Sequence, residues 1–173
     1  MVMNKNHLNV FCEDDLWQGV LPEGLPAKVF SEALSYLKKN KLASEIGFDK
    51  PIEINLSLSN NAEVQKLNAS FRGMDKPTNV LSFANIDGDD FFEEIKQAGI
   101  VELGDIIIAL ETLQQESNLK EISLQDHFAH LLIHGILHLF GYDHQTDEEA
   151  NEMEGIEINI LEKLKIANPY EVE

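Results

Sequence analysis

Four of the chain's six histidines fall within fifteen positions, 130 to 144, in the stretch HLLIHGILHLFGYDHQ. Three of them, His134, His138 and His144, have the spacing H-x3-H-x5-H, with Gly141 between the last two. Residues four apart on a helix share a face, with Cβ atoms about 5–6 Å apart. His134 and His138 can therefore reach one ion at Zn–N distances of about 2.0–2.1 Å. A glycine at a helix end adopts the left-handed conformation and reverses the chain, which would return His144 to the same ion. Three protein nitrogens leave the fourth tetrahedral position open, which is the catalytic arrangement and not the closed structural one. His127 and His130 lie on the same helical stripe, one and two turns back. They read as supporting or surface residues, with His130 the better placed to line a cleft. Asp143 either orients a histidine or faces solvent.

Zinc proteases place a glutamate directly after the first helical histidine, where it acts as the base. Here that position is Gly135. A second residue with chemical promise is Arg72, the only arginine in a chain that otherwise uses lysine. Its planar fork suits a bidentate contact with an oxyanion.

A chain of 173 residues is long enough for one domain with a sizeable core. Its 43% hydrophobic and 25% charged residues are ordinary globular values and argue against disorder. The single cysteine, Cys12, excludes an intrachain disulfide and reads as a buried thiol in a reducing compartment. The N-terminal MVMNKNHLNVF lacks the apolar run of a signal peptide, and no apolar stretch approaches the roughly 20 residues that span a bilayer. A cytoplasmic protein with no membrane partner is the expectation. The formal charge of −18 weighs against a broad phosphate-binding surface. The charge is uneven: Lys66, Arg72 and Lys76 stand against Asp75 alone between Val64 and Ala84, whereas the segment from Gly141 onward is strongly acidic.

The elements that must position these residues can be read from periodicity. HLNVF at 7–11 reads as a strand, and PAKVFSEALSYLKKNK from Pro26 as a helix with Val29, Ala33, Leu34 and Leu37 inward. PIEINLSLS at 51–59 alternates as a half-buried strand. Asn60 with Glu63, Ser123 with Asp126, and Thr146 with Glu149 are spaced as helix-capping pairs. Strands are expected at 80–86 and 104–110, and an exposed acidic excursion with some helix at 87–99. The sum is an α/β (α+β) single domain, with a mixed sheet of about four strands, helices packed around it and a three-histidine metal site on a long helix. The catalytic domain is expected over residues 1–168, followed by a short tail over 169–173.

HGILHLFGYDH at 134–144 resembles the signature of the YbeY family of bacterial metal-dependent endoribonucleases. LNASFRGMDKPTNVLSF at 67–83 is similar to the family's arginine-bearing segment, LGDIII at 103–108 to its next strand, and DEEANEMEGIEINIL to its closing helix. The excursion at 87–99 looks longer and more acidic than the family's usual connection. The resemblance implies a catalytic Zn2+, or another divalent transition metal, on His134, His138 and His144. It also implies cleavage of single-stranded RNA in 16S rRNA 3′-end maturation and ribosome quality control, with Arg72 as the functional arginine.

On that reading Arg72, His134 and His138 are the catalytic residues. The ion polarises a phosphoryl oxygen or acidifies its water, and Arg72 offsets the charge that develops. The general base is open among His130, Asp75 and Asp105, and Asp105 at a strand start is equally suited to structure. Lys66 and Lys76 read as solvated surface or as weak guidance for the RNA backbone. The expected partners are single-stranded rRNA precursor and the small ribosomal subunit or its proteins, with no DNA. Two rival readings are a zinc metalloprotease-like hydrolase, opposed by Gly135, and a non-catalytic metal-binding, ribosome-associated factor.

Overall fold

The computed structural model describes residues 5–12 and 15–171. The first four residues, which enter the expectation about a leader, lie outside the described residues. Strands β1 (His7–Cys12), β2 (Ile52–Ser59), β3 (Val80–Ala84) and β4 (Val101–Ala109) form one mixed sheet of order β1-β2-β4-β3. β1, β2 and β4 run parallel, and β3 pairs antiparallel with β4 at the edge. The helices are α1 (Leu25–Lys39), α2 (Asn61–Arg72), α3 (Phe91–Gln97), α4 (Leu110–Lys120), α5 (Leu124–Leu139) and α6 (Asp147–Lys163).

The alternation of β2 is realised residue by residue. Ile52, Ile54, Leu56 and Leu58 are buried, while Glu53, Asn55 and Ser57 on the other face are only half-buried. On that second face a polar ladder crosses three strands. Asn9 donates to Asn55 Oδ1 at 2.9 Å, and Asn55 donates to Asp105 Oδ1 at 3.1 Å, in the register Asn9–Asn55–Asp105. Asp105 is thus a sheet residue. All three capping pairs form: Asn60, Ser123 and Thr146 each accept from the backbone N–H three residues on. Thr146 and Glu149 close a full reciprocal capping box.

α5 is apolar almost all round, as a helix in the core must be. It packs against β3 and β4 on one side and against α1, α4 and α6 on the others. Gly135 makes that approach possible. A Cβ there would meet Ile106 Cγ2 at 3.0 Å, Ile106 Cδ1 at 3.1 Å and Ser82 Oγ at 3.2 Å. β4 makes its own concession at Gly104, where the register with β2 shifts and φ is +135°. A Cβ at 104 would lie 2.0 Å from the Phe83 carbonyl oxygen.

Four expectations need correction. Cys12 is exposed, because β1 is an edge strand and its C-terminal end is uncovered. The strand expected over 80–86 ends at Ala84, where a 3₁₀ turn over Asn85–Asp87 takes over, and β4 begins three residues early, at Val101. The 87–99 excursion is not wholly exposed. It contains α3, whose Phe91 is buried in the main core, and Lys50 donates from its ammonium to the carbonyls of Ile95 and Lys96.

Gly135→Ala is expected to lower stability by about 1–3 kcal/mol through overpacking. Gly104→Ala should cost more, because its neighbour is backbone and its φ is unfavourable to an L side chain. Thermal denaturation of the two variants checks this order; the reverse would place the tighter constraint at the helix–sheet contact.

Candidate metal centre

The end of α5 builds the site. The chain turns there with Gly141 at φ +99°, where Gly141 N–H donates to the His138 carbonyl and Tyr142 N–H to the Leu137 carbonyl, at 3.0 and 3.1 Å. These two bonds are a Schellman reversal, and they return His144 to the face that carries His134 and His138. The ligand atoms of the three side chains all lie within 4.8 Å of one another. Ring centroids are 4.5 Å apart for His134–His138, 5.5 Å for His134–His144 and 5.2 Å for His138–His144.

The hydrogen bonds behind the rings decide what faces inward. His134 Nδ1 donates to Glu157 Oε1 at 2.9 Å, and His138 Nδ1 donates to the Tyr142 carbonyl at 2.9 Å. A carboxylate and a carbonyl only accept, so in each neutral ring the proton sits on Nδ1 and Nε2 offers a lone pair. Those two Nε2 atoms lie 3.0 Å apart. Two lone pairs this close call for a shared cation. Two nitrogens on one tetrahedral zinc would stand about 3.3 Å apart, given Zn–N of about 2.0–2.1 Å. Three imidazole nitrogens suit a borderline-soft divalent transition ion, so the residues present fit the metal. Burial, reinforced by the neighbouring His134, pushes the His138 pKa down, against the pull of the Tyr142 carbonyl. That favours the neutral, ligating form.

Glu157 on α6 was not among the residues singled out in the sequence, yet it anchors the centre. Its side chain is fully buried. It accepts from His134 Nδ1, from His130 Nε2 at 3.2 Å, and from the Tyr170 hydroxyl at 2.7 Å on its second oxygen. Burial raises its pKa, but the hydrogen bonds and charge of His130 and His134 outweigh this and hold it at about 2. A signal was available. Met153, Ile156, Ile160 and Leu161 mark the buried stripe of α6, and Glu157 sits in the middle of it. A carboxylate in an apolar stripe needs a partner. Tyr170 carried no such signal. It reaches the site because the chain reverses again after α6, with Lys165 at φ 62°.

A cleft of about 860 Å³ opens over the three histidines. Arg72, His127, His130 and Asp143 also line it, as do Lys120, Asp87 and Tyr170. Lys66, Lys76, Asp75 and Asp105 are not on its wall. Lys66 pairs with Glu63 at 3.0 Å on exposed surface, and Asp75 accepts from Gln65 at 3.0 Å. Of the three candidate bases, therefore, only His130 reaches the cleft, and its Nε2 is engaged by Glu157 and lies 3.1 Å from the Tyr170 oxygen. His127 is buried beside Glu116 at 3.6 Å; burial lowers its pKa despite that carboxylate.

Fold and site together define a mixed α/β domain with a three-histidine cluster, able to hold a metal ion, at the end of a core helix. The family model described as Endoribonuclease YbeY matches residues 26–165, and the chain belongs to that family. Among similar curated proteins, Endoribonuclease YbeY of Paramagnetospirillum magneticum is 47% identical over 122 residues, spanning 70% of this chain and 73% of the relative. The Acinetobacter baumannii protein of the same name is 47% identical over 128 residues, spanning 73% and 78%. The solution structure of TM1509 from Thermotoga maritima has the same fold, with a TM-score of 0.57 over 96% of this chain and 97% of that one, at 22% identity.

Replacing Glu157 with glutamine is expected to weaken metal binding about 10–100-fold, measured by competition with a chelator. Because the folded-state pKa of Glu157 lies below its ordinary 4.5, its stabilising effect is complete above pH 4.5. It is lost as pH falls toward about 2. The metal-free wild type should lose stability over that window, and Glu157→Gln should lose less. Unchanged metal affinity in the variant would mean that Glu157 serves the fold alone.

Proposed function

We propose that this chain is a metal-dependent endoribonuclease that cuts single-stranded RNA in the cytoplasm. Its substrate is the rRNA precursor of the small subunit, in 16S 3′-end maturation and ribosome quality control. The observation that carries this reading is that the lone arginine and the three histidines line one cleft. Family membership supports it, since the relatives are named endoribonucleases.

His134, His138 and His144 would hold the ion, zinc on this reading. Bound there, it would supply Lewis-acid assistance to attack on a phosphodiester. The protein's own groups do the rest. Glu157 and the Tyr142 carbonyl keep the His134 and His138 Nε2 lone pairs turned inward. Arg72 receives two phosphate oxygens in its fork and offsets the charge building on them. Lys120 adds a second positive charge on the cleft wall. Proton transfer falls to the wall carboxylates Asp87 or Asp143.

Both rival readings meet specific obstacles. A protease needs a base where Gly135 stands, and at that position even a Cβ would press on Ile106 and Ser82. A closed structural site needs a fourth protein ligand, and among the described residues no fourth histidine, cysteine or carboxylate joins the three. The acidic start of α6, Asp147, Glu148 and Glu149, suits a basic ribosomal protein as docking partner.

Metal-replete protein offered single-stranded RNA, duplex RNA and casein is expected to cleave the first alone; cleaved casein with intact RNA would overturn the reading. Arg72→Ala should abolish cleavage with metal content and Tm nearly unchanged, and loss of metal as well would make Arg72 structural. The protein should also bring down small ribosomal subunits in a salt-sensitive pull-down, and recovery of no ribosomal component would remove the docking role.

A further inference from the structure

Phe71 is 68% exposed, more than any other aromatic side chain among the described residues. The reason lies in α2. Its inward stripe runs Val64, Leu67, Asn68, Phe71, and the first members cover Leu81, Ala109 and Ile107 on the sheet. One turn further on, the stripe reaches the cleft. Phe71 there meets the half-buried ring of Phe83, edge-to-face, with centroids 5.2 Å apart and planes at 67°. Both rings line the cleft, and so does Arg72, the next residue along the chain.

An exposed phenylalanine braced by a second aromatic ring, beside a phosphate-type cation, is a recognisable combination. We propose that Phe71, held by Phe83, is a stacking platform for one unpaired nucleobase of the substrate, next to the phosphate that Arg72 holds. The proposal rests on RNA being the substrate. Phe71 and Arg72 are the last two residues of α2 and both line the cleft, so a base on the ring and a phosphate in the fork would belong to one stretch of strand. Every base has a π face, so the platform does not select sequence. It does select strandedness: bases within a duplex are already stacked on both faces, whereas a splayed base is free to settle on an aromatic side chain. A protein partner's apolar side chain is a poorer occupant, because covering Phe71 would also desolvate the neighbouring guanidinium.

The test uses the full-length, metal-replete protein with Phe71 changed to Ala, Leu or Trp. On a fluorogenic single-stranded oligoribonucleotide, Phe71→Ala and Phe71→Leu are expected to lose about tenfold or more in kcat/KM. Phe71→Trp should retain activity, with metal content and Tm unchanged in all three. Leucine keeps apolar bulk without a π face, so its loss separates stacking from simple burial. Tryptophan fluorescence of Phe71→Trp should be quenched by 2′-O-methyl oligouridylate and not by the matching duplex. The buried Trp17 of the wild type serves as background. Wild-type kcat/KM in Phe71→Ala or Phe71→Leu, or no quenching by the single strand, overturns the platform. A wild type inert on RNA overturns the proposed function instead, and the quenching experiment then decides the platform independently.

Discussion

The closeness of α5 to the sheet is the constraint on which the rest depends. At Gly135 the helix lies so near β4 that even a methyl group would press on Ile106 and Ser82. This contact fixes the height and rotation of α5 over the sheet. Height and rotation in turn decide where His134 and His138 point and where the Gly141 reversal delivers His144. The position that would hold a protease's glutamate is therefore occupied by a packing requirement. In this fold the glycine at 135 and the placement of the three histidines follow from one packing contact.

A second layer of support comes from distant parts of the chain. Glu157 from α6 and Tyr170 from beyond it converge on the α5 histidines, and the backbone carbonyl of Tyr142 holds His138. A buried, ionised carboxylate is costly unless charge and hydrogen bonds compensate it. Glu157 is compensated by two histidines and a phenol, and through them it ties α6 and Tyr170 to the rim of the cleft. The same economy appears in the sheet, where Asn9, Asn55 and Asp105 satisfy one another across three strands.

The cleft reconciles a strongly acidic protein with a polyanionic substrate. The positive side chains on the cleft wall are few and local: Arg72 at the end of α2 and Lys120 at the end of α4, beside three histidines that could hold a cation. The other two lysines near Arg72 in sequence point elsewhere, one of them into a surface pair with Glu63. On the proposed function, a narrow set of phosphate contacts is enough, because positioning and electrophilic assistance, and not a broad electrostatic footprint, carry the chemistry.

Much of this was legible before any fold was known, wherever a property is local. The i, i+4 histidines, the glycine that ends their helix, the alternation of β2 and the three capping pairs are set by bonds spanning a few residues. Their patterns read directly as structure. Arg72 also stood out, as the only one of its kind. Tertiary structure alone decided which side chains share the cleft: it set Asp75, Asp105, Lys66 and Lys76 aside and admitted Lys120, Asp87 and Tyr170. It also recruited Glu157 as the partner of His134, left Cys12 exposed on an edge strand and drew Phe91 into the core. Each of these depends on how elements far apart in the chain are stacked, and that stacking is governed by burial and close packing, which local periodicity does not encode.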